Sequence, residues 1–233
     1  VAKNKTALVT GANKGIGYEI ARQLAERGFH VFVGARKLPE GKQAAEAIVK
    51  GGGSAEFVEI DVSDRVSIGK AAKAVASEVD HLDVLVNNAG IMQDGKGIAE
   101  VDDETFLATL TTNTLGPLRV TQAFLPLLLT SGHGTVANLS SGLGQLNEMG
   151  DTYPAYSISK TALNAVTRQF AAALREKGIT VNSVCPGWVK TDMGGPNAQR
   201  TVQQGADTVT WLATDAPREL TGQFLRDRKV IPW

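Results

Sequence analysis

The sequence predicts an α/β fold: a doubly wound parallel sheet of seven strands with helices on both faces. Two observations carry that expectation. Seven short apolar runs alternate with segments whose apolar residues recur at helical spacing, the pattern of repeated strand–helix–strand units. The first run leads directly into a glycine-rich turn and then a helical segment, as at the ligand-binding end of such sheets. With 233 residues the chain can bury the core of one such unit, and residues 1–233 are read as a single domain.

The elements follow in order. Thr6-Ala7-Leu8-Val9-Thr10 reads as a buried strand, and Gly11-Ala12-Asn13-Lys14-Gly15-Ile16-Gly17 as the turn behind it. Ile20, Ala21, Leu24 and Ala25 then recur at helical spacing up to Gly28. Glycines let backbone approach a pyrophosphate, and the helix N-terminus favours its charge. The same glycines would also serve a tight turn without a ligand. The second strand, 29–34, ends in Ala35-Arg36-Lys37 with no acid before Glu40. A cofactor with a free ribose 2′-hydroxyl usually meets an Asp or Glu there. Arg36 suits a 2′-phosphate instead, and Lys14 adds a second cation, so the pair argues for NADP over NAD. A helix over 39–50 stops at Gly51-Gly52-Gly53. The third strand, 55–60, runs into Asp61-Val62, where Asp61 faces an adenine edge or caps the helix starting near Ser63. Further strands are expected at 83–87, 134–139, 180–185 and 222–225, and a helix at 201–213. The Gly-Pro-Asn-rich segment 194–200 reads as a flap.

Composition narrows the function classes. Lys plus Arg and Asp plus Glu are equal at 24 each, so no global field attracts nucleic acid or an anionic membrane. The longest apolar run is of the Phe124–Leu129 kind, short of the roughly 20 residues that span a bilayer. The stretch Val1-Ala2-Lys3-Asn4-Lys5-Thr6 lacks the apolar core of a signal peptide. The single cysteine, Cys185, suits a cytoplasmic location. It reads as a buried strand-end thiol or, beside Pro186-Gly187, as a pocket residue. His30, His81 and His133 are isolated, without metal-ligand spacing, and read as surface or loop residues.

Tyr156 and Lys160 stand four apart, which on a helix puts both on one face. An ammonium near a phenol lowers the phenol's pKa, giving a side chain able to exchange a proton with an alcohol or carbonyl oxygen. Around this pair the chain resembles the short-chain dehydrogenases/reductases over nearly its whole length. Thr10-Gly11-x-x-x-Gly15-Ile16-Gly17 is similar to the family's cofactor loop. Asn87-Asn88-Ala89-Gly90 resembles its sheet-steadying segment, Tyr156-x-x-x-Lys160 its catalytic pair, and Pro186-Gly187 the bend after its sixth strand. Within the family the closest likeness is to NADPH-dependent carbonyl reductases, through Cys185-Pro186-Gly187-Trp188-Val189-Lys190-Thr191-Asp192-Met193, Asn13-Lys14, Arg36 and the ending Gly222-Gln223-Phe224-Leu225…Trp233. The long insertion that animal carbonyl reductases carry before the catalytic tyrosine is missing here.

The resemblance implies a Rossmann-type sheet of order 3-2-1-4-5-6-7. It also implies hydride transfer between NADP(H) and a carbonyl carbon. It makes Tyr156 the proton donor, Lys160 its tuner and the anchor of the nicotinamide ribose, and Asn113 part of a proton relay. The serine that positions the carbonyl is Ser141, with Ser140 the alternative. The cofactor would meet Gly11, Asn13, Lys14, Gly15, Ile16, Gly17, Arg36, Asp61, Val62, Asn88, Ala89, Gly90, Tyr156, Lys160, Pro186, Gly187, Val189 and Thr191. Leu143, Met149, Trp188 and Met193 read as an apolar wall for a small hydrophobic carbonyl substrate. No metal, nucleic-acid or membrane partner is implied, and the missing insertion leaves the tyrosine helix free to build a homo-oligomer, with a monomer the alternative. Rival readings are a 3-oxoacyl-thioester reductase, a sugar-nucleotide epimerase and a non-catalytic NADP-binding sensor.

Overall fold

The computed structural model describes residues 5–233; Val1 to Asn4, part of the stretch read for a missing signal peptide, lie outside the described residues. The strands are β1 (Lys5–Thr10), β2 (Phe29–Ala35), β3 (Ser54–Glu59), β4 (Val84–Asn87), β5 (Thr135–Leu139), β6 (Thr180–Val184), β7 (Phe224–Arg226) and β8 (Lys229–Val230). Between them run α1 (Gly15–Glu26), α2 (Leu38–Lys50), α3 (Arg65–Glu78), α4 (Asp103–Leu110), α5 (Gly116–Ser131), α6 (Pro154–Leu174) and α7 (Val202–Thr214). The sheet order is β3-β2-β1-β4-β5-β6-β7-β8, and every neighbouring pair up to β7 is parallel. This is the expected Rossmann-type α/β sheet with one strand more.

The extra strand, β8, pairs antiparallel with β7. The two residues between them, Asp227 and Arg228, both have positive φ, the backbone of a two-residue hairpin turn. Neither is glycine or asparagine, and two residues of strand are too few to show a period, so the sequence carried no signal for it.

Both faces of the sheet are buried because alternate strand residues are apolar on both sides. Ala7, Val9, Val31 and Val33 pack under α1, α2 and α7 through Ile20, Leu24, Ile48 and Val209. Leu8, Phe32, Leu85 and Val136 pack against α3, α5 and α6 through Ile68, Val75, Phe124 and Leu174. These two layers fix the sheet and leave the loops at the C-terminal ends of the strands to form a cleft.

Helices α4 and α5 are one continuous rod interrupted by a π-turn at Thr111–Leu115. Pro117 lies in the first turn of α5 and has no N–H to give the carbonyl of Asn113 four residues back. Gly116 N–H reaches instead to Thr111 O, an i→i+5 bond. The widened turn carries Asn113.

One sequence expectation about histidines is corrected. His81 is buried, not a surface residue. Its Nδ1 meets Asp80 at 2.5 Å and its Nε2 lies 3.4 Å from Asp83. Asp83 also accepts from Thr6 N at 2.8 Å and Ser131 Oγ at 2.6 Å. This polar knot ties the start of β1 to the start of β4, at the end of the sheet away from the cleft. His133 is exposed, 3.5 Å from Asp83.

Candidate active site

A cleft of about 1240 Å³ opens over the C-terminal edge of β1, β2, β4, β5 and β6. Its floor is the glycine loop. Gly11 and Gly15 have φ of 64° and 60°, where side-chain-bearing residues are strained. At Gly17 a Cβ would stand 2.3 Å from Asn88 Nδ2 and 2.4 Å from Gly11 O, so only glycine fits. Asn88 latches this loop: its Nδ2 donates to Thr10 O at 2.9 Å and Gly11 O at 3.1 Å. Thr10 Oγ1 in turn accepts from the N–H groups of Asn88 and Ala89. Behind it, Asn87 Nδ2 donates to Asn138 Oδ1 at 2.8 Å and Thr121 Oγ1 at 3.1 Å, tying β4 to β5 and α5.

The cleft fits a dinucleotide phosphate. The α1 N-terminus has no acid in its first turn and no side-chain cap on its N–H groups, leaving donors and a positive dipole end for a pyrophosphate. Gly11, Asn13, Lys14, Gly15, Ile16, Gly17, Arg36, Asp61, Val62, Asn88, Ala89, Gly90, Pro186, Gly187, Val189 and Thr191 all line the cleft. Arg36 is exposed just past β2. Lys14 is not a free second cation: its Nζ pairs with Asp192 Oδ2 at 2.5 Å, and the Asp192 carboxyl is held below its ordinary range by that ammonium. Asp61 does not cap α3. Its Oδ1 accepts from Ser63 N and Ser63 Oγ, while Asp64 accepts from Val66 N and takes the cap.

Thr191 lies above the loop, and a Cβ on Gly15 would meet its Cγ2 at 3.4 Å. The segment carrying it is closed by Lys190 N→Arg200 O and Arg200 N→Trp188 O at 2.9 and 3.0 Å. Thr191 Oγ1 accepts from Gly194 N at 3.1 Å.

The helix α6 brings Tyr156 and Lys160 into the same cleft, both buried. Lys160 Nζ donates to Leu139 O at 2.7 Å and stands 5.5 Å from the centroid of the Tyr156 ring. Gly90 makes room here: a Cβ on it would lie 3.2 Å from Asn113 Oδ1 and 3.5 Å from Lys160 Nζ. Asn113 is fully buried. Its Oδ1 accepts from Ile91 N and its Nδ2 donates to Ile91 O, both at 2.8 Å, and to Ser159 Oγ at 3.0 Å. The two serines sit differently. Ser141 lines the cleft with Tyr156, and its Oγ accepts from Leu143 N at 3.2 Å. Ser140 is buried, its hydroxyl turned toward Lys160 O.

Electrostatics at the pair differ from the sequence expectation. Burial pushes the Tyr156 phenol up to about 12, with the nearby Ser141 hydroxyl acting the other way. Burial also brings the Lys160 ammonium down to about 8. The ammonium lies over the ring rather than at the hydroxyl, so burial outweighs it and the phenol is held protonated.

Of the expected substrate wall, Leu143, Trp188 and Met193 line the cleft and Met149 does not. The loop before Met149 is drawn to the C-terminus, by Gln145 Nε2→Pro232 O at 2.8 Å and Leu146 N→Trp233 O at 3.2 Å. Tyr153, at φ 51°, precedes α6 without making a side-chain cap and lines the cleft instead. Cys185 is buried at the end of β6 and lines the cleft as well. Two charged residues were missed. Asp94 caps α6 from another loop: its carboxylate accepts from Ala155 N at 2.8 Å and Tyr156 N at 2.9 Å. Arg226, at the end of β7, reaches the cleft wall. Neither lies in a recognisable motif. Among the described residues no group of three or more His, Cys, Asp or Glu side chains is placed to hold a metal, and no helix is long and apolar enough to cross a membrane.

Comparison with known proteins agrees with this geometry. The short chain dehydrogenase family profile matches residues 5–202. Carbonyl reductase 1 of Sus scrofa, an NADPH enzyme by name, is 31% identical over 281 residues, covering 100% of this chain and 95% of its own. A 3-oxoacyl-acyl-carrier-protein reductase of Staphylococcus aureus is 33% identical over 237 residues, with 95% of each chain covered. The crystal structure of NADPH-bound carbonyl reductase from chicken fatty liver superposes with a TM-score of 0.90 at 30% identity, covering 99% of this chain and 100% of that one. The cofactor is NADP(H). With its glycine cradle, its Tyr156–Lys160 pair and this breadth of likeness, the chain belongs to the short chain dehydrogenase family of oxidoreductases, close to the carbonyl reductases.

Proposed function

We propose that the protein reduces ketone and aldehyde carbonyls to alcohols with NADPH, Tyr156 acting as the proton donor. The observation that carries this reading is the single cleft that brings Ser141, Lys160 and a buried Tyr156 phenol together with the glycine loop, burial keeping that phenol protonated. Bound NADPH supplies the hydride. Negative charge then grows on the carbonyl oxygen, and a proton must reach it. Ser141 hydrogen-bonds that oxygen and positions it, and Tyr156 gives it the proton. The phenolate left behind is stabilised by the Lys160 ammonium over the ring. Asn113, held by Ile91 and Ser159, keeps the helix turn in register beside Lys160 and serves the return of a proton to Tyr156.

Leu143, Trp188 and Met193 give the carbonyl compound an apolar wall. A second reading, reduction of 3-oxoacyl thioesters, is favoured by the likeness to the staphylococcal reductase. It uses the same four side chains and differs only in what docks outside them. The test is to follow NADPH absorbance with a panel of ketones, aldehydes and 3-oxoacyl thioesters. Turnover of simple ketones supports carbonyl reduction, and turnover of thioesters alone favours the second reading. Tight NADPH binding with no turnover on any of them overturns both in favour of a non-catalytic sensor.

A further inference from the structure

Arg226 is the last residue of β7 and faces the cleft. Its Nε donates to Cys185 Sγ at 3.3 Å. A Cβ built on Gly142 would stand 2.6 Å from its Nη2, which places the guanidinium against the residue that follows Ser141. Nearby carboxylates hold other partners, although the Asp227 carboxyl is also held down by the Arg226 charge. Asp227 is held by Arg200, with Nη1 at 3.1 Å and Nη2 at 2.5 Å, and Asp207 by Arg228. Among the described residues neither Nη of Arg226 meets a protein acceptor, and no carboxylate forms an ion pair with it. A half-buried guanidinium cannot shed its charge. Its fork of donors is open to the cleft, where an anion that enters finds charge-assisted hydrogen bonds.

We propose that Arg226 is a specificity-determining residue and that the preferred substrate is an oxo acid. Its keto group lies at Ser141 and Tyr156 while its carboxylate takes the Arg226 fork, and its remaining carbons lie along Leu143, Trp188 and Met193. A planar guanidinium matches a carboxylate through two parallel hydrogen bonds, which a neutral ester cannot reproduce in strength. The overall step balances as oxo acid plus NADPH plus a proton giving hydroxy acid plus NADP+. This inference rests on the reduction proposed above.

Three phenyl oxo acids, benzoylformate, benzoylacetate and 3-benzoylpropionate, move the carboxylate stepwise away from the keto group. Each is compared with its methyl ester in the wild type, Arg226→Gln and Arg226→Lys. The expected result is that one acid of the series exceeds its ester in kcat/KM by roughly 10- to 100-fold. The ratio should fall to about one in Arg226→Gln and be partly restored in Arg226→Lys. A misfolded variant loses acid and ester together, so the ratio reads recognition and not folding. Esters matching or exceeding all three acids, or an acid preference that survives Arg226→Gln, would overturn the proposal and leave Arg226 as a clamp on Cys185. If the wild type reduces no carbonyl at all, the reduction reading has failed, and calorimetry with benzoate and NADP+ decides the recognition claim separately. Binding by the wild type that Arg226→Gln loses supports the carboxylate site, and equal or absent binding in both excludes it.

Discussion

Asp94 accepts the backbone N–H of Tyr156 at 2.9 Å, across 62 residues of sequence. The same carboxylate takes the N–H of Ala155. The helix that carries the tyrosine is thus capped by a residue from the loop after β4, because the residue just before it, Tyr153, is in a left-handed conformation and its side chain caps nothing. Asp94→Ala removes that cap at a cost of about 1 kcal/mol, a fall of roughly 2–4 °C in Tm for a chain of this size. It should lower kcat for carbonyl reduction more than it weakens NADPH binding. Asp94→Asn, itself a good cap, should recover most of the loss. Equal kcat in Asp94→Ala and wild type would show that the cap does not position Tyr156.

Tyr156→Phe keeps the ring under Lys160 and removes the proton. Carbonyl reduction should fall by roughly 10²- to 10⁴-fold, while NADPH titration followed by fluorescence remains close to wild type. Substantial residual turnover would end the proton-donor role.

Lys160 should leave a mark on both activity and stability. Its ammonium persists only up to about pH 8, whereas the Tyr156 proton is held to about 12. The kcat/KM for reduction should therefore be flat below about pH 8 and decline above it. For stability the sign is set by a folded value below the ordinary 10.5. Between pH 8 and 10.5 the unfolded chain binds more protons, so stability from this group rises with pH across that window. The Tm of Lys160→Met relative to wild type should accordingly be highest near pH 7 and shrink toward pH 10. A constant gap across that range would contradict the assigned shift.

Arg36 stands exposed at the cleft past β2, whereas Lys14 on the glycine loop is paired with Asp192. Arg36→Ala should raise KM for NADPH by roughly 10-fold or more and change KM for NADH little. Equal changes for both cofactors would rule out contact with the 2′-phosphate.

The sequence by itself determined the first seven strands, the glycine cradle and the spacing that puts Tyr156 and Lys160 on one helix face, while Asn113 and Ser141 were named through the family resemblance. The first three are local properties: apolar runs buried on both faces, glycines where no Cβ fits, and a four-residue helical spacing. It also preferred Ser141 to Ser140; the Ser140 hydroxyl is turned toward Lys160 O, while the Ser141 hydroxyl lies near enough to act on the Tyr156 phenol. What only the tertiary structure decided depends on contacts between distant segments. Asp94 at the head of α6, Arg226 against Gly142, the removal of Met149 from the cleft and the Lys14–Asp192 pair have no spacing rule to announce them. The pKa of Tyr156 was decided there too. The i,i+4 lysine alone predicts a lowered phenol, but burial of both groups with the ammonium over the ring face reverses the direction, because desolvation acts on the whole charge while the misaligned partner returns only part of it.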